Sequence, residues 1–376
     1  MTAYFSFADR SAPPTARADG TIARWLLTGP AQVSTGVHAG GVAGCVAAPG
    51  SPSYVYPEIA GYYLQWLAWR AQRFGNSPTL ADRAAAVQAW LAVWISAADP
   101  PPTRVHLIDA NDDWRNRAVF CFDLSMVLRG LAAAARARLL VADAAVVTGV
   151  SRQLERLIAA DGLFDACVTN VSGDPLPERW STRRGGFLAK AAAGIITATR
   201  TLSGIAATVE RAATATFAAS IGWTFETPHA ETHPLLYAFE GIMALPRDAR
   251  FADSLAAVAE QFDALLAHAN ADGHIPESLT STTGGPARVD VLAQTLRIGY
   301  LLHAHRPQQP PDRVALARLR QVLARQVHPT GAVGFTLEPD PAQWNVWAAM
   351  FTDQALAFAV PTRDSIPWWH SDPLLV

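Results

Sequence analysis

Few residues of this 376-residue chain carry charge, and neither sign dominates. Thirty Lys and Arg stand against 32 Asp and Glu, 16% of the sequence together, for a net charge of −2. No basic block is present, which excludes the concentrated positive surface of nonspecific nucleic-acid binding. No run of about 18 uninterrupted apolar residues occurs, so no membrane insertion is expected. The first ten residues lack a basic segment followed by an apolar one, and a cytoplasmic location is the expectation. Cysteine is limited to Cys45, Cys121 and Cys167. Three widely spaced thiols make neither a disulfide framework nor a zinc cluster and read as buried side chains. No Gly-x-Gly-x-x-Gly or Walker loop is present, which argues against nucleotide-binding folds. The absence of a Gly-x-Ser-x-Gly elbow argues against α/β-hydrolase chemistry. His229, Glu231 and His233 lack the i, i+4 histidine spacing of a helical metal site and fall across Pro234, so neither a metal nor a cofactor is expected.

Apolar residues, by contrast, are plentiful: half of the chain is hydrophobic. Six stretches repeat one design, a loop rich in aromatic and charged residues running into a helix with little charge. The starts are Tyr56-Pro-Glu-Ile-Ala-Gly-Tyr62, Arg117-Ala-Val-Phe-Cys-Phe-Asp123, Arg184-Gly-Gly-Phe-Leu-Ala-Lys190, Glu231-Thr-His-Pro-Leu-Leu-Tyr237, Arg288-Val-Asp-Val-Leu-Ala-Gln294 and Trp344-Asn-Val-Trp-Ala-Ala-Met350. Their spacing of roughly 55 to 60 residues suits a helical hairpin with a long loop. Between them lie amphipathic helices such as Leu80 to Ala97, with Ala84, Val87, Leu91 and Ile95 along one stripe. A helix apolar all round is buried on all sides. Six such helices alternating with six one-sided ones predict an all-α fold, the (α/α)6 toroid, as one domain over 21–376 behind a flexible N-terminus at 1–20.

The predicted inner helices start near Pro57, Arg117, Phe187, Pro234, Val289 and Trp344. Asp161-Gly162, Asp272-Gly273 and Thr330-Gly331 recur as stops after outer helices. Each stop returns the chain to the face where inner helices begin. Helix N-termini gathered there carry partial positive charge and unpaired N–H groups, suited to anionic or polyhydroxylated ligands. The same face collects the aromatic and charged residues. Glu58 and Asp290 are the leading carboxylates for acid/base work, followed by Glu231 and Asp113. Tyr56, Tyr62, Trp180, Tyr237, Trp344 and Trp347 offer faces for sugar rings. Arg117, Arg184 and Arg288 would hold an acidic sugar or a phosphate, with His233 and Asn345 as further polar contacts. Acidic residues at helix starts also have a purely structural explanation in capping and the helix dipole. Asp123 and Lys190, one turn into their helices, either face the lumen or form a buried ion pair.

Tyr56-Pro-Glu-Ile-Ala-Gly-Tyr62, Glu231-Thr-His-Pro-Leu-Leu-Tyr-Ala-Phe-Glu-Gly241, Asp290-Val-Leu-Ala-Gln-Thr-Leu-Arg-Ile-Gly299 and Asn345-Val-Trp-Ala-Ala-Met-Phe-Thr-Asp-Gln-Ala355 resemble the inner helices of VpsJ-like polysaccharide biosynthesis proteins. More broadly, the chain is similar to six-hairpin glycosidases and N-acylglucosamine 2-epimerases. The resemblance implies a toroid, a carbohydrate substrate and a place in bacterial exopolysaccharide or capsule production. It leaves hydrolase, lyase and epimerase chemistry open, and the histidine pattern of the epimerases is not clearly reproduced. The competing expectation is a non-catalytic glycan-binding or assembly subunit. A terpene-cyclase-like toroid is a minor alternative, because Asp109-Ala-Asn-Asp-Asp113 does not match the acidic motifs of those enzymes. Oligomeric state is not legible.

Overall fold

The computed structural model describes residues 15–358 apart from 49, 109–112, 170–174, 227–229, 246–252, 270–271, 281–285, 307, 339 and 341–342. The flexible N-terminus expected at 1–20 lies largely outside these residues. So do His229, most of the acidic cluster at 109–113 and the C-terminal tail.

Six inner helices form a ring: α2 (Pro57–Phe74), α4 (Cys121–Arg136), α6 (Leu188–Thr199), α8 (Thr232–Met243), α10 (Val289–His305) and α12 (Val346–Phe358). Each packs on the next, and α12 packs on α2, which closes the circle in chain order. Outer helices α3 (Pro78–Ala97), α5 (Ala144–Glu155), α7 (Ala207–Glu226), α9 (Ser254–Ala267) and α11 (Arg313–Arg325) each pack on the inner helix preceding them. The sixth outer position is filled from the other end of the chain, by α1 (Thr15–Thr28) against α12. The architecture is the (α/α)6 toroid. No described helix is long and apolar enough to cross a membrane.

Close packing of the ring needs small residues at the crossings. A Cβ on Gly61 would meet the carbonyl oxygen of Met126 at 2.3 Å, and one on Gly130 the carbonyl oxygen of Gly61 at 2.3 Å. Helices α2 and α4 therefore touch backbone to backbone, and an alanine at either glycine would overpack the contact by about 1–3 kcal/mol. The predicted stops take the left-handed conformation that glycine favours, with φ of 80° at Gly162 and Gly273 and 91° at Gly331. Backbone bridges Ile158–Phe164 and Val327–Val333 close two of these turns and send the chain back to the rim.

Short antiparallel pairings tie successive rim segments together. Strand β3 (Tyr54–Val55) pairs with β4 (Val105–His106), and β5 (Ala118–Phe120) with β6 (Cys167–Thr169). Bridges Glu231–Ser278 and Arg288–Thr336 continue the crown. Strand β1 (Cys45–Ala47), which also pairs with β2 (Ser51–Pro52), joins β7 (Gln343–Asn345) and links the first rim segment to the last. These pairings explain where helix starts depart from the sequence expectation. Arg117 ends a 3-10 turn over Trp114–Arg117 and is followed by β5, so α4 begins only at Cys121. Trp344 lies in β7, so α12 begins at Val346. Helix α8 begins at Thr232, two residues before Pro234.

Three outer helices and four inner helices begin differently. Ser77 accepts from the Leu80 N–H, Asp143 from Ala145, and Asp312 from Val314 and Ala315, so α3, α5 and α11 have side-chain caps. Helices α2, α4, α8 and α10 emerge from extended residues Tyr56, Phe120, Glu231 and Arg288 without a side-chain cap. In three of them the first N–H is taken by a carbonyl of a neighbouring rim segment: Cys121 donates to Ala166, Thr232 to Glu277 and Val289 to Phe335.

Candidate active site

A cavity of about 450 Å³ opens at this rim, and all six inner-helix starts contribute to it. That volume is in the range of small-molecule sites. Tyr56, Glu58, Trp180, Glu231, His233, Tyr237, Arg288 and Trp347 line it, as the sequence pattern suggested. They are joined by Asp123, Phe122, Phe187, Arg104, Arg115, Arg179, Glu277 and Phe335.

One wall holds a carboxylate pair. Glu58 sits in the first turn of α2 and Asp123 in the first turn of α4, adjacent helices of the ring. The Tyr56 hydroxyl donates to Asp123 Oδ2 at 2.9 Å. Burial raises the pKa of Glu58, with Tyr56 and Arg104 opposing it. Burial and then the Glu58 charge push Asp123 well above the usual carboxylate range. Two carboxyl groups buried in one wall cannot both ionise cheaply, so the pair retains a proton at pH values where ordinary carboxylates have lost theirs. Asp123 therefore belongs to the lumen, and Lys190 to a buried ion pair with Glu240, its Nζ 2.7 Å from Oε2.

Asp290 lies differently. It is fully buried and does not line the cavity; Arg288 and Trp347, which do, stand against it. Arg288 grips it with two nitrogens at 3.0 and 2.6 Å, and Trp347 Nε1 donates at 3.1 Å. Burial would raise its pKa, but Arg288 and His233 outweigh that and hold it at about 2. Such a carboxylate orients the arginine and tryptophan instead of exchanging protons near neutrality. Asp113 likewise sits behind the wall. It accepts from Arg104 at 3.1 Å and Arg115 at 3.2 Å and so aims both guanidinium groups. Glu231, at the position that would cap α8, makes no cap hydrogen bond, so capping does not account for it. Burial and the neighbouring Glu277 charge raise its pKa.

The other wall is aromatic. Trp180 meets Phe187 edge-on at 5.0 Å and His233 at 5.8 Å, and Phe122 lies 4.7 Å from Tyr237. Burial and then Arg288 lower the His233 pKa to about 3, so its ring is neutral. Beneath it, the Tyr62 hydroxyl donates to that of Tyr237 at 3.0 Å, which makes Tyr62 a support instead of a lining residue.

Several expected contacts are engaged elsewhere. Arg184 is committed to Asp161 and Asp165, bracing a stop turn. Arg117 does not line the cavity, and its carbonyl accepts from Thr169 at 3.2 Å. Trp344 lies against His328 at 5.0 Å, and Asn345 caps α12 by accepting from the Ala348 N–H at 2.8 Å. The residues that sequence reasoning passed over, Arg104, Arg179 and Phe335, come from loops between helices and carry no periodic signal. Among the described residues no cluster of three His, Cys, Asp or Glu side chains could hold a metal ion.

No family model matches the chain, and no curated protein does. Solved structures do. The cellobiose 2-epimerase of Spirochaeta thermophila DSM 6192 is similar at a TM-score of 0.62 and 14% identity, over 94% of this chain and 98% of that one. A D-mannose isomerase reaches 0.66 at 12% identity, over 94% and 99%. An unsaturated glucuronyl hydrolase specific for heparin reaches 0.61 at 12% identity, over 92% and 95%. The fold is shared along nearly the whole length of each. At these identities the likeness establishes the toroid and does not choose among three different reactions.

Proposed function

We propose that the protein is a carbohydrate-processing enzyme that works by acid/base catalysis in the rim cavity. The observation that carries this reading is the Glu58–Asp123 pair, two carboxyl groups with raised pKa values in the wall of a cavity built for a small polar ligand. Pyranose C–H faces would lie on Trp180 and Trp347, and guanidinium groups of Arg104, Arg115, Arg179 and Arg288 would take hydroxyl or carboxylate oxygens. Glu58, its pKa raised by burial, would deliver a proton to a sugar oxygen, with Asp123 and Tyr56 tuning that proton. Glu231 enters from the fourth inner helix, three places round the ring from Glu58, and would supply a carboxylate from the other side. The cavity's volume favours a small saccharide or a chain end over the middle of a polymer. A role in bacterial exopolysaccharide or capsule production rests on the sequence resemblance to VpsJ-like proteins.

The test is to incubate the protein with oligosaccharides, reducing sugars and nucleotide sugars in D2O. Mass spectrometry reads bond cleavage as fragments, and epimerisation or isomerisation as deuterium taken up at carbon. Either product, lost in Glu58→Gln, supports the reading. Tight binding of a sugar with no product would replace it with the glycan-binding subunit.

A further inference from the structure

We infer that Gln294 is a positioning residue that locks His233 in its Nδ1–H tautomer and leaves Nε2 as a bare acceptor at the cavity. The donor it would receive is a hydroxyl group of the substrate, and only that last step rests on the carbohydrate reading.

Glu240 anchors this chain of contacts. It is fully buried, with Lys190 Nζ at 2.7 Å from one oxygen and Arg297 Nη2 at 2.5 Å from the other. Burial would raise its pKa, but Arg297 and Lys190 outweigh that and hold it below the usual carboxylate range. An ionised carboxylate only accepts hydrogen bonds. Gln294, also fully buried, spans the gap between Glu240 and His233. Its Nε2 lies 3.3 Å from Glu240 Oε2 and its Oε1 lies 2.7 Å from His233 Nδ1. Turning the amide over would set its carbonyl oxygen against the carboxylate, with both acceptors out of water. The amide therefore has one acceptable orientation, with its oxygen facing the ring.

That oxygen cannot donate, so Nδ1 must carry the proton. Asp290 Oδ2, 3.9 Å from the same nitrogen, adds a carboxylate on that edge. A neutral imidazole has a single N–H, and a proton on Nδ1 leaves Nε2 with its lone pair exposed. Nε2 lies on the ring edge away from Gln294 and has no hydrogen-bond partner among the described residues. The ring itself is clamped by Trp180 at 5.8 Å and Tyr237 at 4.3 Å and lines the cavity. The arginines around it are all donors. His233 would be the complementary acceptor, selecting a substrate that presents an O–H at this point over an analogue that cannot donate.

Nitrogen-15 NMR of the full chain labelled at histidine tests this, with the His233 signals identified by their loss in His233→Phe. The expected result at neutral pH is a protonated Nδ1 and a bare Nε2. Gln294→Met, similar in shape but unable to accept strongly, should shift the balance toward Nε2–H. An Nε2–H or doubly protonated ring in the parent protein would overturn the proposal, and that spectrum decides even if the variant does not fold. An unchanged tautomer in a folded Gln294→Met would remove Gln294 as the lock. Sugars from the same panel supply the last arm. A bound sugar should move the Nε2 resonance, and one that leaves it unmoved overturns the hydroxyl assignment. If no sugar binds, the functional reading and the hydroxyl assignment fall together while the tautomer result stands.

Discussion

Two parts of one rim hold carboxylates at equivalent places and treat them in opposite ways. Glu58 and Asp123 stand in the first turns of α2 and α4, and Asp290 in the first turn of α10. All three meet a low-dielectric wall and the positive end of a helix. Yet the pKa values of the first two are raised, while that of Asp290 is held at about 2. The difference is the partner. Asp290 has a guanidinium group bound through two nitrogens, whereas Asp123 has a tyrosine hydroxyl and a second carboxyl group nearby. Position on a helix does not decide whether a rim acid holds a proton; the neighbouring side chain does. One region is built to keep a charge and the other to keep a proton.

Breaking the Asp290 side should have the largest effect. Arg288→Leu strands a buried charge and should cost about 3–5 kcal/mol, read by urea unfolding at neutral pH. Asp290 has a depressed folded pKa, so its contribution is present above the unfolded value near ~3.9 and lost as pH falls toward 2. The deficit of the variant should therefore shrink on acidification. Next comes Glu58→Gln, which should lower turnover on the sugar that the protein processes by about 100-fold or more. Parent activity should decline as pH rises through the raised Glu58 pKa, and residual activity of the variant should lack that limb. Asp123→Asn sharpens the comparison from the other side. A raised folded pKa gives stability that is full below the unfolded value and lost as pH rises through the folded one. The amide should thus stabilise the fold by about 1 kcal/mol at mildly alkaline pH and by little at acid pH, read as a shift in Tm. Smallest is the aromatic wall. Trp180→Ala should weaken sugar affinity by about fivefold, on the scale of about 1 kcal/mol for an aromatic contact, while Trp344→Ala should leave it unchanged.

The ring was legible because its signals are periodic. Apolar inner helices, one-sided outer helices and the Gly162, Gly273 and Gly331 turns all repeat. The boundaries at Arg117 and Trp344 were not legible, since β5 and β7 are made by pairing with segments distant in the chain. The rim showed itself as a set of aromatic and charged starts, and that set does hold Glu58, Glu231, His233 and Trp180 together. What single positions could not reveal is which side chain each rim residue meets. Arg184 reads like Arg288 in sequence, yet one braces a turn and the other faces the cavity. Asp123 was ambiguous because ion pair and lumen look alike until Tyr56 and Glu58 are placed beside it.

Carboxyl-carbon NMR across a pH titration, with selective labelling of Asp and Glu and signals identified from Glu58→Gln, Asp123→Asn and Asp290→Asn, tests the central contrast most directly. The account predicts that the Glu58–Asp123 pair still holds a proton at a pH where exposed carboxylates, with values near ~4, are fully ionised. It predicts that Asp290 stays ionised down to a pH of about 2. Ordinary titration of all three groups around pH ~4 would contradict it, and would leave the cavity without the proton donor on which its proposed chemistry depends.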